Sequence, residues 1–175
     1  MNDPYEKCPI LETNHFILRI VEKNDVKNLL ECYSDIKAQK YFNADNFLND
    51  FKYKTLDEMN KCIDFWLSAY KNKLFVRFSI VDKSHGKAIG TIEIFGGEFG
   101  VLRIDINSKY EKNECLKEII EICVNNFFTL FNTNRIITKA IPDAVDRVKA
   151  LVDNGFLEYT KEMKPLKDNY LYKDK

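Results

Sequence analysis

Apolar and polar positions along the chain switch between a two-residue and a helical period. His15-Phe16-Ile17-Leu18-Arg19-Ile20 puts Phe16, Leu18 and Ile20 on one face, which predicts a strand. Val26, Leu29, Leu30 and Tyr33 then form the stripe of a helix running from about Asp25 to Asp35, with Asn24 as its cap. Tyr41 to Tyr53 is polar and aromatic. Thr55-x-x-Glu58 is a capping box opening a helix with Met59, Ile63, Trp66 and Tyr70 on one side. Phe75 to Val81 and Ala88 to Phe95 read as strands joined through Asp82 to Lys87, a hairpin loop that carries Gly86. After a Gly96-Gly97-Glu98 turn, Val101 to Ile106 is a further strand. Leu102, Ile104 and Ile106 face one way, Arg103 and Asp105 the other. Asn113 to Phe131 repeats Leu116, Ile119, Ile120, Cys123, Phe127, Phe128 and Phe131 at helical spacing. Arg135 to Ala140 is a strand. Pro142 starts a helix that bears Val145, Val148, Leu151 and Val152, and Gly155 stops it. Leu157 to Met163 and Asn169 to Lys173 close the chain as a hairpin around Pro165 to Asp168.

The order is strand, two helices, three strands, helix, strand, helix, two strands. Hairpins at both ends and a β-α-β unit between them predict a mixed α/β (α+β) fold. Its sheet is mixed, mostly antiparallel and flanked by helices. At 175 residues the chain is expected to form one domain over 1–175. Apolar residues at 45% and charged residues at 31% exclude a disordered or fibrous protein. No apolar run approaches the ~18 residues of a membrane span, and the N-terminus lacks a signal-peptide pattern. A cytoplasmic protein without a membrane partner is expected.

Charge narrows the partners. Lys plus Arg and Asp plus Glu are 27 each, so no bulk field draws in nucleic acid. The cations are 22 Lys and only 5 Arg, and lysine is the poorer bidentate phosphate reader. No nucleic-acid partner is expected. Five cysteines at spacings that match no zinc pattern, and two distant histidines, read as free, mostly buried thiols without a metal site. None of the six glycines falls between Gly100 and Gly155.

Four landmarks carry a family resemblance. They are Glu12-Thr13-Asn14-His15-Phe16-Ile17-Leu18-Arg19, Ile80-Val81-Asp82 through Gly90-Thr91-Ile92, Asn134-Arg135-Ile136 and Asn154-Gly155-Phe156. In order and spacing they resemble the GNAT acetyltransferases, in the ribosomal-protein N-terminal acetyltransferase-like branch, over roughly residues 10 to 173. The resemblance implies direct acetyl transfer from acetyl-CoA to a primary amine, either a peptide N-terminus or a small molecule. It implies a monomer or homodimer. It places pantetheine along the strand Val101 to Ile106, so Ile104, Asp105 and Ile106 are expected to line the cofactor. A backbone N–H near that strand's end would polarise the thioester, an effect worth roughly 3 kcal/mol in other enzymes. The pyrophosphate is expected at the next helix N-terminus, on Glu111, Lys112, Asn113, Glu114, Cys115 and Leu116.

That loop departs from the family's Q/R-x-x-G-x-G/A. Glu111 stands for Gln or Arg, Glu114 for Gly, and Leu116 for Gly or Ala. The carboxylates favour the helix by about 0.3–1 kcal/mol each, yet would repel a pyrophosphate. Side chains at 114 and 116 would crowd a close backbone approach. Two readings stay open: a GNAT transferase with a reshaped phosphate contact, or a GNAT-fold binding or regulatory protein with weak or no acetyl-CoA binding. In the later helix, Ala144 and Arg147 replace an expected Asn and Ser, and Leu151 a Tyr. Arg147 reads as an anion contact or as a solvated helix face. The candidate bases are Glu93 and Asp105. Their structural alternatives are an exposed strand carboxylate for Glu93, and a pair with Arg103 or a lysine for Asp105. Cys115 has no histidine beside it in sequence and is not expected to act as a nucleophile. Phe42, Phe47, Phe51 and Tyr53 are candidates for an acceptor groove, and Trp66 for the core.

Overall fold

The computed structural model describes residues 3–42, 52–97, 99–159 and 169–175. Five helices are seen among them: α1 (Val26–Tyr33), α2 (Ile36–Gln39), α3 (Leu56–Lys71), α4 (Asn113–Leu130) and α5 (Val145–Asp153). The strands are β1 (Leu11–Glu12), β2 (Phe16–Ile20), β3 (Val76–Asp82), β4 (Lys87–Phe95), β5 (Gly100–Ile106), β6 (Arg135–Lys139), β7 (Leu157–Glu158) and β8 (Tyr170–Asp174). They form one sheet in the order β1-β2-β3-β4-β5-β6-β8-β7. Neighbours run antiparallel except β5 and β6, which are parallel. The mixed, mostly antiparallel sheet expected from the sequence is the one observed.

Both faces of the central strands are buried, for different reasons. On one face Phe78, Ile92, Ile94, Leu102, Ile104 and Ile106 pack against Leu116, Ile119, Ile120, Cys123 and Phe127 of α4 and Leu151 of α5. On the other, α1 and α3 bring Leu29, Tyr33, Met59, Ile63 and Trp66 over the sheet as a second core. The strand residues beneath that layer are polar: Arg77, Ser79, Thr91, Glu93, Arg103 and Asp105 are all buried.

Local chemistry sets the element ends. Thr55 Oγ1 accepts from the Glu58 N–H at 3.2 Å, and Glu58 Oε2 accepts from the Thr55 N–H at 2.9 Å, so the predicted capping box forms. Gly155 holds φ +80°, the left-handed conformation that ends α5. A Cβ on Gly90 would sit 2.2 Å from the Asp105 carbonyl oxygen, so β4 and β5 require glycine there. Two helix boundaries shift from the sequence reading. The first helix stops at Tyr33, because Asp35 turns extended and accepts from the Lys37 N–H at 3.0 Å to cap the short α2. The helix expected from Pro142 starts at Val145, because the Ala144 N–H donates to the Ile141 carbonyl at 2.9 Å and closes a turn first. Of the closing hairpin only β7 and β8 are described. Its Pro165–Asp168 turn lies outside the described residues, as do Phe47 and Phe51.

Candidate functional site

The β5–β6 pair is hydrogen-bonded at one end only. Its register contains Gly100↔Ile136 and Val101↔Ile137, yet β5 continues to Ile106. Beyond Val101 the register with β6 ends. The β5 backbone there is bonded from within the chain. Arg147 of α5, only 2% exposed, donates from Nη1 to the Ile104 carbonyl at 2.9 Å and to the Tyr41 carbonyl at 2.8 Å. Its Nε and Nη2 donate to Glu111 Oε1 and Oε2 at 2.7 and 2.8 Å. The guanidinium therefore joins β5, the chain after α2 and the segment before α4. A cavity of about 510 Å³ opens beside it, lined by Lys37, Lys40, Tyr41, Ser108, Glu111 and Ala144 among others. Arg147 is thus a buried anchor and not a solvated helix face. The anion it contacts is a carboxylate of its own chain.

The loop residues divide by direction. Leu116 is fully buried in the α4 core, so its side chain does not occupy the loop's outer face. Glu111 is neutralised by Arg147. Glu114 and Lys112 are exposed. Lys112 precedes α4 without a side-chain capping bond, so the first backbone N–H groups of α4 point outward with no partner from that cap. Asn113 Oδ1 lies 3.5 Å from Lys149 Nζ. Cys115 is half-buried and lines a second cavity of about 310 Å³ with His15, Phe16, Tyr110 and Glu118. Burial, then the charge of Glu114, raises its thiol pKa, so it stays protonated.

The expected base candidates lie on the opposite face of the sheet from α4. Strand register explains their partners. Arg77, Glu93 and Arg103 are direct neighbours across β3, β4 and β5. One oxygen of Glu93 accepts from Arg77 and the other from Arg103. The next row is Ser79, Thr91 and Asp105. Asp105 Oδ2 accepts from the Tyr33 hydroxyl at 2.8 Å and lies 3.4 Å from Arg77 Nη1. Glu93 at 2% and Asp105 at 3% exposure are both buried, so the exposed-carboxylate reading of Glu93 does not hold. Asp105 takes a tyrosine and an arginine from other elements, where Arg103 or a lysine was the expectation. Burial, then Asp105, pushes the Tyr33 hydroxyl well above its ordinary range, and it remains a donor. Burial draws Arg77 down, but Glu93, Tyr33 and Asp105 outweigh it and hold the guanidinium charged. Its plane lies 4.5 Å from the centre of the Trp66 ring.

Two residues of this arrangement carry sequence signals of their own. Arg147 falls three residues after Ala144 and four before Leu151, on the buried stripe of its helix. Tyr33 ends the apolar stripe of α1. His15 belongs to neither layer, but its ring Nδ1 and Glu118 Oε2 are 2.8 Å apart, which ties the opening landmark to α4.

No family model matches the chain. It is 23% identical over 155 residues to YoaA of Bacillus subtilis, an uncharacterized N-acetyltransferase, covering 85% of this chain and 82% of the relative. It superposes on ribosomal-protein-S5-alanine acetyltransferase from Vibrio fischeri with a TM-score of 0.73 at 17% identity, covering 95% of this chain and 96% of that one. A ribosomal L7/L12 alpha-N-protein acetyltransferase solved in complex with coenzyme A gives a TM-score of 0.74 at 10% identity, over 95% and 98% of the two chains.

Proposed function

We propose, from the premise that this chain is a ribosomal-protein acetyltransferase-like protein of the GNAT fold, that it transfers acetyl from acetyl-CoA to a primary amine. The amine belongs to a peptide N-terminus or a small molecule. The observation that carries this reading is the end of the β5–β6 register at Val101. Ile104 and Ile106 lie on β5 beyond that register, where an extended amide-bearing arm would find strand backbone to bond. The outward N–H groups at the start of α4 offer a diphosphate its contacts from Asn113 to Cys115. The inward Leu116 and the neutralised Glu111 remove two of the three conflicts that the loop sequence raised. Relatives that are themselves N-acetyltransferases support the transferase over the non-catalytic alternative.

Acetyl-CoA, when bound, supplies an activated thioester. The chain's part is to hold that group on β5, exclude water and accept the proton an ammonium must lose. Asp105, on this strand, and Glu93, on β4 beside it, are buried ion-paired groups. In this reading Asp105 takes the proton through the Tyr33 hydroxyl, and Glu93 fixes the two arginines that set the floor. Titrating acetyl-CoA while following the melting temperature tests the proposal. At a hundredfold excess over its Kd the ligand should add about 2.7 kcal/mol of stability. No shift at millimolar acetyl-CoA would overturn it.

A further inference from the structure

We propose that Arg147 is an internal latch on the β5–β6 cleft, which must release before an acyl-CoA can enter. The inference rests on the transferase reading and deepens it. Among the described residues the guanidinium makes four hydrogen bonds, to Ile104, Tyr41 and both oxygens of Glu111. The Ile104 carbonyl lies on β5 beyond its register with β6, so latch and ligand compete for the same carbonyl. The pair is buried on both sides, with side-chain exposures of 2% for Arg147 and 7% for Glu111, so water screens it little. Bidentate geometry gives it direction as well as strength. The three walls it joins come from distant parts of the chain, so releasing one side chain frees the cleft from α2 to α4. A cavity of about 510 Å³ lined by Tyr41, Glu111 and Ala144 adjoins two of the groups the guanidinium bonds. A closed cleft lowers apparent affinity in proportion to the fraction of molecules that are open.

The test compares acetyl-CoA binding by isothermal calorimetry in the wild type and in the double variant Arg147→Ala, Glu111→Gln. That variant removes both charges together, so neither is left buried alone. At least about tenfold tighter binding is expected, matching a wild type that is closed at least nine-tenths of the time. Wild-type binding with an unchanged variant overturns the latch alone. Weaker binding in the variant also overturns it and makes Arg147 one of the ligand's own contacts. Binding in neither protein overturns both the latch and the transferase reading. Should circular dichroism show the double variant unfolded, Glu111→Gln alone carries the same comparison. It weakens two of the four bonds, so a gain of about threefold is expected, and no gain overturns the latch.

Discussion

Both oxygens of Glu93 accept from buried guanidinium groups, one from Arg77 and one from Arg103. Each partner sits directly opposite Glu93 in the register of β4 with its neighbours. Removing the carboxylate would leave two cations under α3 with their main counter-charge gone. Breaking a buried pair from one side costs about 3–5 kcal/mol. Glu93→Leu is therefore expected to lower unfolding free energy by about that much in a urea titration. Glu93→Gln, which keeps an acceptor oxygen, should fall short of it. A loss below about 1 kcal/mol for the leucine variant would mean that Trp66 and Asp105 hold Arg77 in place without Glu93. The sequence reading placed Arg103 and Asp105 together on one face of their strand; that Arg77, Ser79, Thr91 and Glu93 share this face is shown by the register. Which charge meets which was not visible. That depends on register between three strands, and the β3–β4 pair also carries an irregularity at Ile80 and Val81.

Elements are joined here by single polar side chains as much as by apolar stripes. Asp25, just before α1, accepts from Arg19 of β2 at 2.7 and 2.9 Å, from Ser79 of β3 at 2.7 Å and from the Glu22 N–H at 3.0 Å. Burial raises its carboxyl pKa, but these donors outweigh burial and hold it below the ordinary 3.8. The folded value is depressed, so the stabilisation is complete above the unfolded pKa and is lost as pH falls through the folded one. Asp25→Asn should cost about 2 kcal/mol at neutral pH, the scale of hydrogen bonds to a charged group. The gap between variant and wild type should close below pH 3.8, read as urea midpoints across a pH series. A gap independent of pH would make the bonds, and not the charge, responsible. Long elements were legible, α3 because its stripe and its capping box agree and α4 because its apolar stripe runs the length of the helix. The four-residue α2 was not, since it presents an exposed Ile36 and only one buried residue, Ala38. Arg147 was not legible as a buried position of α5: the stripe read from the sequence was Val145, Val148, Leu151 and Val152, of which Val145 and Val152 are exposed while Arg147 is buried. Nor was its partner Glu111, because the two meet only once α5 packs on α4.

At the scale of the molecule, two cores share one sheet. Cys123 lies in the core under α4, while Cys32 and Cys62 lie in the layer under α1 and α3. The sequence supported the single-domain expectation through length and element order, but it did not show that the second core rests on a buried polar floor. That floor makes the coupling between the layers an experimental question. Burial raises all five thiols, Cys62 to about 11 and Cys8 to about 12, so little thiolate is available in the folded state. Thiol labelling at pH 8 should therefore reach at most the half-buried Cys8 and Cys115 in the native protein, and all five cysteines after unfolding. Urea should expose Cys32, Cys62 and Cys123 in one transition, because each layer covers strands that the other also needs. Earlier labelling of Cys32 and Cys62 would mean that the α1–α3 layer opens alone. The hydrogen bonds of Tyr33 with Asp105 and Thr91, and the contact of Arg77 with the Trp66 ring, would then be too weak to bind it to the sheet. Coincident labelling would make the polar floor a structural joint between the two cores, and any motion of the cleft would have to occur within a molecule that otherwise unfolds as a unit.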